Sequence, residues 1–393
     1  MNNTIKLAVA SALIAAASSA SAAGGIVAGD WTLDIGGVVN AYYTSTKTSG
    51  NSANGGFIAG ANDTGTGTSS NITTGLLPNY LSVSGKTRQN DLDVAFTISI
   101  QPGTSNRHAL DYQPAAGTSA GGAHAPQENR QAFLTFGDAS WGSMKLGKDL
   151  GIYASDAILN DMTLLGVGSA AGTLAGNTTT LGRIGTGYIY ADWKPQIAYT
   201  SPNFNGFSFT AGVTQAWNGT ENTARGGKEP AFEGKASYAF AGDVSGKVWA
   251  SGISQKVATL DQTASAWDLG ANVNMAGFGA TVYYGEGQGL GTTGQFLGGF
   301  DGSGNKLDSK DWYAQGTYTL PGVGTKLGVA YGESELQQDD GAKSQNNMWT
   351  VGAYHPLTKH LNLVAEYSVA KAEETDEDSA KAKTISLGAI LFF

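Results

Sequence analysis

Residues 91–101 read DLDVAFTISIQ, and this stretch decides the fold class. Apolar side chains occupy every second position, namely Leu92, Val94, Phe96, Ile98 and Ile100. Successive side chains of a strand point to opposite faces, so the pattern predicts a strand with one apolar and one polar face. Such a strand fits a barrel with lipid outside and water inside, and it equally fits a soluble sandwich.

The last ten residues of the sequence repeat the alternation. Their apolar positions are Ile385, Leu387, Ala389, Leu391 and Phe393. We expect these side chains to form the lipid-facing side of a strand whose last aromatic ring lies at the membrane–water interface.

Segments of this kind recur through the chain, and the connections between them are alternately short and long. Strands are predicted at residues 30–44, 80–87, 91–101, 129–136, 141–147, 193–200, 206–217, 231–240, 244–254, 264–275, 278–285, 311–320, 324–333, 348–354, 361–370 and 383–393. An even count with every second connection short is typical of a single-chain bacterial outer-membrane barrel, and a soluble β-protein has no reason to keep that rhythm. We therefore predict an all-β fold, a transmembrane antiparallel up-and-down β-barrel of these sixteen strands, as one domain over residues 23–393.

Two further segments have a clear composition. The tract 45–79 is rich in Gly, Ser, Asn and Thr and is interpreted as a long external loop. Residues 1–22 predict a cleaved secretory signal peptide, because a positive start is followed by an apolar run and by the small residues Ala20, Ser21 and Ala22. That apolar run is shorter than the ~20 residues of a membrane-spanning helix.

The overall composition limits the functional class. The chain has no cysteine, so an exported protein of this length has no disulfide framework to stabilise it. Its formal net charge of −9 argues against nucleic-acid binding. Acidic residues concentrate in predicted external segments, such as Asp339, Asp340 and residues 373–378. They are interpreted either as solvated loop residues or as bridges through divalent cations to lipopolysaccharide.

Aromatic residues lie mostly near the predicted strand ends, where the two interfaces of a membrane select Trp and Tyr. The residues concerned are Trp31, Tyr42, Trp193, Tyr199, Trp217, Tyr238, Trp267, Trp312, Tyr331, Trp349 and Tyr367.

Several segments resemble those of one family, the Gram-negative general porins. Residues 128–137 (ENRQAFLTFG) and 141–148 (WGSMKLGK) are similar to the fourth and fifth strands of those porins. Residues 197–202 (IAYTSP) with 205–207 (NGF) are similar to the sixth and seventh strands, and residues 29–39 (GDWTLDIGGVV) to the first. Together with the terminal Phe393, the resemblance covers nearly the whole chain after the leader.

The resemblance implies a homotrimer of sixteen-stranded outer-membrane barrels, each with its third external loop folded into the lumen. In this chain that loop is residues 148–192, and it lacks the Pro-Glu-Phe-Gly turn that often carries the constriction carboxylates. Lys145 and Lys148 stand where the family places arginines of its basic cluster. The resemblance also implies that the barrel-assembly machinery reads the final strand through Leu387, Leu391 and Phe393.

Charged residues predicted to face the lumen are the candidate functional residues, since charged rings and the field between them set ion selectivity. Strand parity turns Lys86, Lys145 and Lys194 inward, together with Lys235, Lys247 and Lys326. The predicted constriction set is Lys86, Arg88, Arg130, Lys145, Lys148, Asp149, Asp156, Asp161 and Lys194. Arg130 shares parity with the outward Leu134 and Phe136, so we expect it above the lipid band.

A basic wall that faces loop carboxylates would set up a transverse field across the pore. The inward acids Asp34, Asp93, Asp268 and Glu366 nearly balance the inward bases, so the sign of ion selectivity does not follow from the sequence. The predicted function is passive diffusion of ions and small hydrophilic solutes through a water-filled channel. A channel biased towards anions or sugars is the alternative.

Two other classes are open. A barrel enzyme would need a histidine held by a carboxylate beside a nucleophile, and the four histidines fall in external loops (His108, His124) or in a turn (His355, His360). A closed adhesive barrel is disfavoured by small lumen residues such as Gly270 and Gly328. We predict no enzymatic activity, no cofactor and no metal site, because the sequence has no nucleophile elbow, phosphate loop or metal-binding His pair.

Overall fold

The computed structural model describes residues 25–50, 67–104, 127–170, 179–217, 229–257, 260–337, 341–374 and 379–393. They form the predicted closed barrel of antiparallel strands, and the predicted order of strands is confirmed. The barrel strands are β1 (Trp31–Gly50), β2 (Tyr80–Gln89), β3 (Leu92–Pro102), β4 (Gln127–Asp138), β5 (Gly142–Leu150), β6 (Trp193–Thr200), β7 (Phe207–Thr214), β8 (Ala231–Phe240), β9 (Val244–Val257), β10 (Gln262–Met275), β11 (Phe278–Gln288), β12 (Asp308–Thr319), β13 (Lys326–Gln337), β14 (Lys343–Pro356), β15 (Leu361–Glu374) and β16 (Ala380–Phe392).

The barrel closes between its last strand and its first. β16 pairs antiparallel with β1 from Ala380 opposite Gly50 to Phe392 opposite Val38. The backbone pairing continues one residue further, where Gly37 N donates to Phe393 O at 2.9 Å and Phe393 N donates to Gly37 O at 3.1 Å. Closure removes both sheet edges and satisfies the ladder of backbone hydrogen bonds that a strand needs in lipid.

The alternation read from the sequence separates the two faces of the barrel as predicted. On β16 the side chains of Ile385, Leu387 and Leu391 are exposed on the outside, whereas Thr384 and Ser386 are buried on the lumen side. The same parity on β3 exposes Ile98 outside and buries Ser99 inside. A one-residue shift in register would exchange these faces, so the pattern specifies the register.

An aromatic girdle runs round the outside near the long connections. Its ring contacts join neighbouring strands, with centroids 5.8 Å apart for Trp267 and Tyr284, 5.3 Å for Trp312 and Tyr331, and 5.3 Å for Trp349 and Tyr367. The prediction of girdle aromatics was wrong for Tyr42, which is buried on the lumen side and donates from its hydroxyl to Leu165 O at 2.7 Å. It was also wrong for Trp193, whose ring packs on the lumen side against residues of loop 3.

The interpretation of residues 45–79 as an external loop was wrong in part. β1 continues to Gly50, and a short strand, Gly67–Thr73, pairs with its outer half. Residues 74–80 then run inwards, where Leu76 and Leu77 are buried. The last residues of β1, 45–50, are all polar or glycine, because they lie beyond the lipid band. The apolar alternation therefore ends before the strand does.

Two long connections fold into the lumen. Loop 3, residues 151–192, contains the short helix α1 (Ser155–Leu159) and a 3₁₀ turn (Met162–Leu165). Loop 6, residues 289–307, lies against it, and Tyr190 N donates to Thr293 O at 2.8 Å. The folding of the third loop into the lumen, which the resemblance implied, is confirmed, whereas the entry of loop 6 was not predicted. No described helix is long and apolar enough to cross a membrane.

Candidate functional site: the lumen and its third loop

Loop 3 is fastened at its beginning by a buried carboxylate of the barrel wall. Glu233 on β8 accepts hydrogen bonds from Ile152 N at 2.8 Å and Tyr153 N at 2.9 Å, and from the hydroxyl of Thr214 at 2.8 Å. The ammonium of Lys194 on β6 forms an ion pair with the same carboxylate. Both side chains are completely shielded from solvent, at 1% and 0% exposure. The pair therefore fixes where the loop leaves the wall.

The helix of loop 3 is held by two lysines of the wall. Asp156 on α1 pairs with Lys235 at 3.2 Å and with Lys247, and both lysines lie on the inward face of β8 and β9. Burial acts to raise the pKa of Asp156, and the charges of Lys235 and Lys247 outweigh it, so the pKa is below its ordinary value. The carboxylate is thus ionised at neutral pH and forms ion pairs with both lysines.

The far part of loop 3 is fastened by a second buried carboxylate. Glu366 on β15 accepts from Val167 N at 2.8 Å, Gly168 N at 2.9 Å and the hydroxyl of Tyr354 at 2.6 Å. Gly166 makes this approach possible, because a Cβ at that position would lie 2.0 Å from Oε1 of Glu366.

Aromatic packing holds the middle of loop 3 against the wall. The ring of Tyr188 contacts Tyr313 at 5.7 Å and Tyr283 at 6.4 Å between centroids, and Tyr313 donates to Ala157 O at 2.9 Å. Such ring contacts add to the hydrophobic burial of the side chains. Gly328 faces this side too, since a Cβ there would lie 2.7 Å from Sδ of Met162. Gly328 therefore makes room for the loop, whereas a Cβ at Gly270 would meet the ring of Trp249 on the wall, 2.2 Å away.

A recess lined by polar and apolar side chains is left between loop 3 and the wall formed by β4 to β8. Its lining includes Gln131, Lys145, Gln196, Lys235 and Ser237 of the wall, with Ile152, Ser155 and Leu159 of the loop. Lys145 is paired with Asp149, which also accepts from Nε2 of Gln131 at 3.1 Å. Lys86 belongs to the same wall, since it pairs across the sheet with Ala95 and through Thr135 with Lys145.

Four lysines with inward side chains therefore face this side of the lumen, and we call them the lysine wall: Lys86, Lys145, Lys235 and Lys247. The lysines are more exposed than the acids that pair with them. Lys145 is 19% exposed and Asp149 7%, and Lys247 is 19% exposed and Asp156 4%. Lys86 is exposed and has no carboxylate within ion-pair distance in the described part of the chain.

Arg130 is inside, and the parity argument that placed it outside was wrong. The register between β3 and β4 shifts between Ser99 and Gln101, which is a β-bulge. An extra residue in one strand reverses the parity beyond it. The buried guanidinium of Arg130 consequently lies over the ring of Trp193, 5.8 Å from its centroid, in a cleft that Leu159 also lines.

Lys148 faces outward, so its assignment to the constriction was wrong. It pairs across the sheet with the outward Pro195, and its ammonium donates to Asn129 O at 2.8 Å.

Arg88 lies at the short-turn end of β2, where it forms ion pairs with Asp93 at 2.8 Å and with Asp138 at 3.0 Å. Arg88 is on the lumen side, as strand parity predicts, but it lies nearer the short turns than the recess does and is not among the residues that line the recess.

Asp161 and Lys194 have structural contacts and do not line the recess. Asp161 is buried within loop 3, where it accepts from Thr163 N and from the hydroxyl of Tyr188, both at 2.9 Å. Lys194 is covered by Gln295 of loop 6, whose side-chain oxygen accepts from its ammonium at 2.6 Å. Both were predicted in the constriction, and both instead hold the loops in place.

Comparison with known proteins agrees with this architecture. The sequence profile of the family described as Gram-negative porin matches residues 8–375. The chain belongs to the Gram-negative porin family. It forms a channel in the outer membrane through which small hydrophilic solutes diffuse passively. Among curated protein sequences none matches significantly.

Solved structures share the fold of this porin at low sequence identity. The anion-selective porin from Comamonas acidovorans has a TM-score of 0.62 at 15% identity, over 92% of this chain and all of that one. The outer membrane channel DcaP of Acinetobacter baumannii has a TM-score of 0.64 at 16% identity, over 94% of this chain and all of that one. The in-vitro folded trimer form of OmpT of Vibrio cholerae has a TM-score of 0.54 at 14% identity, over 92% and 99%. At such identities the likeness shows the fold alone.

The sequence did not predict that Glu233 fastens loop 3, nor that loop 6 enters the lumen of the porin. Glu233 has the same strand parity as Lys235, two residues on, so parity could have found its inward direction. Its bonds to loop 3 join residues about eighty positions apart, and no local pattern predicts them. Loop 6 has no periodicity, and its buried Leu290 and Phe296 lie in a glycine-rich segment.

The histidines of the porin give no support to enzyme chemistry where they are described. His355 meets Thr325 Oγ1 at 2.9 Å, and neither His355 nor His360 lies within ion-pair distance of a carboxylate in the described residues. His108 and His124 lie outside the described residues. No group of three or more metal-binding side chains occurs in the parts of the chain that the structure describes.

Proposed function

We propose that this porin passes anions in preference to cations, through the recess between loop 3 and the lysine wall. The single observation that carries the proposal is the difference in exposure within the ion pairs. The carboxylates of Asp149 and Asp156 are less exposed than the lysines that they bind, so a diffusing ion has more access to ammonium groups than to carboxylates. The narrow lumen has low-dielectric walls, which strengthen the field of such groups.

Charge counting on the lysine wall supports the same sign. Lys86, Lys145, Lys235 and Lys247 have two carboxylate partners among the described residues, Asp149 and Asp156. The wall is therefore positive on balance although the whole chain is acidic. The likeness in fold to a porin described as anion-selective is compatible with this sign.

Replacing Lys145 with glutamate should shift the channel towards cations, because it puts a second negative charge beside Asp149 in the recess. The measurement is the reversal potential of single channels in a planar bilayer under a salt gradient. Lys148→Glu is the matched control: it lies three residues away, makes the same charge change and faces outward. We expect no shift for Lys148→Glu. An unchanged reversal potential in Lys145→Glu, or an equal shift in both variants, would contradict the proposal.

We also propose the partners and processing that the porin family implies. The porin is proposed to assemble as a homotrimer, as one OmpT structure of similar fold does in its trimer form. Lipopolysaccharide and the barrel-assembly machinery are its proposed partners, and channel activity without catalysis is its proposed sole function. The leader, residues 1–22, lies outside the described residues, and mass spectrometry of protein from outer membranes would show whether it is removed after Ala22.

Deleting Phe393 should impair insertion into the membrane more than it alters the conductance of the channels that do insert. Phe393 completes the closing ladder with Gly37 and lies away from the recess. Its loss removes the proposed assembly signal and leaves the lysine wall intact. The readout is the heat-resistant folded fraction in outer membranes, compared with the conductance of purified channels. Wild-type amounts of folded protein without Phe393 would rule out its role in assembly.

A further inference from the structure

Four lysines form a patch on the outside of the barrel, which we call the outer patch: Lys47, Lys371, Lys381 and Lys383. Lys47 on β1 lies directly opposite Lys383 on β16, and Lys381 lies directly opposite Lys371 on β15. Directly paired residues share one face, and their Cβ atoms are ~5 Å apart. Parity places all four on the outward face, in line with the exposed Tyr43 and Ile385.

The patch is short of negative partners within the described residues. Lys371 is bound to Glu373, whereas Lys47, Lys381 and Lys383 have no carboxylate within ion-pair distance. The acidic residues 376–378 lie outside the described residues. Like charges directly opposite each other on a sheet are destabilising, so two such cross-strand pairs side by side call for an anion that is not part of the described chain.

The height of the patch indicates where that anion is. Lys47 follows Tyr43, and Lys371 follows Tyr367, by four residues in each case, which is ~13 Å along a strand. Tyr367 belongs to the aromatic girdle at the end of the long connections. Girdles mark the membrane–water interface, and long connections are on the external side of outer-membrane barrels. The ammonium groups thus lie at the headgroup level of the outer leaflet.

Resting on lipopolysaccharide as the partner proposed above, we propose that the outer patch binds its phosphate groups directly. A phosphate accepts several charge-assisted hydrogen bonds, and lysine binds it as a mobile point charge. Two adjacent cross-strand pairs offer space for a ligand with more than one phosphate, which would relieve both like-charge contacts. This is a different mode from cation bridging through acidic loops, because it needs no divalent ion.

The test compares the wild-type porin with a triple variant in which Lys47, Lys381 and Lys383 are replaced by glutamine. Lipopolysaccharide is titrated into purified protein in detergent, and the dissociation constant is measured. Each lysine near an anionic surface adds about a fivefold gain in affinity, so we expect the loss of three to weaken binding by about two orders of magnitude. A triple variant of equal charge change, Lys256→Gln, Lys306→Gln and Lys359→Gln, leaves the patch and the lysine wall intact and should bind as the wild type does.

Two further measurements distinguish the possible outcomes. Lipid A without phosphates should bind the wild type as weakly as the triple patch variant binds the intact lipid, and chelation by EDTA should leave wild-type binding unchanged. Equal binding by both triple variants, or loss of wild-type binding in EDTA, would overturn the proposal. Conductance in bilayers free of lipopolysaccharide shows that the variants are folded, and this readout is independent of lipid binding.

Discussion

Replacing Glu233 with alanine is expected to release the beginning of loop 3 and to raise the single-channel conductance. The change leaves the ammonium of Lys194 buried without its counter-ion, and it leaves Ile152 N and Tyr153 N without their acceptor. Breaking a buried ion pair on one side costs about 3–5 kcal/mol. The loop can avoid this cost by moving away and admitting water to Lys194, which widens the lumen at the recess.

Conductance alone does not separate release of the loop from a local change of charge. The double variant Lys194→Met with Glu233→Leu is the control, because apolar replacement of both partners of a buried pair is often nearly neutral. It still lacks the acceptor for the two backbone amides, so its conductance should lie between those of the wild type and Glu233→Ala. In urea titration of the folded protein, the wild type should be the most stable, the double variant intermediate and Glu233→Ala the least stable. Wild-type conductance in Glu233→Ala would show that the other contacts are sufficient to hold the loop.

The barrel itself could be predicted from the sequence because its physical cause is local. A strand between lipid and water must alternate, and Leu92 to Ile100 show that alternation within nine residues. Short turns between such strands leave few ways to arrange them. The strand limits at the outer side were less predictable: β1 extends beyond Thr44 through polar residues, where neither face meets lipid.

The candidate site could be predicted only as far as parity holds. Lys86 and Lys145 face the lumen as expected, whereas the single extra residue before Gln131 turns Arg130 inward against the pattern. The partners within the lumen depend on how loop 3 and loop 6 fold. Lys194 illustrates this, since its inward direction was predicted but its burial under Gln295 depends on a residue 101 positions away.

The anchoring of loop 3 bears on the proposed anion preference of an acidic chain. Glu233, Glu366, Asp156 and Asp161 are the acids that hold the loop, and all four are buried. Each accepts hydrogen bonds from backbone amides, hydroxyl groups or lysines, which compensates the loss of water. Their carboxylates are consequently engaged inside the structure. The lysines at the recess keep part of their exposure, and the proposed anion preference depends on this difference.

Replacing Glu366 with alanine should free the far part of loop 3 and make the channel noisy. Val167 N and Gly168 N lose their acceptor, and an unsatisfied buried group costs about 1–3 kcal/mol. No buried cation is left behind, so the loss of stability should be smaller than for Glu233→Ala. The main effect should be frequent closures and substates in single-channel recordings.

Gly166→Ala disturbs the same contact from the side of the loop, because its Cβ would overlap the carboxylate of Glu366. We expect it to produce the same noise as Glu366→Ala. The double variant should be little worse than either single one, since the overlap disappears with the carboxylate and variants in contact are not additive. Additive losses in urea titration would mean that Gly166 and Glu366 act on the loop separately. Tyr354→Phe removes a single hydrogen bond to Glu366 and should leave the recordings quiet, which separates loss of the anchor from a general weakening of the wall.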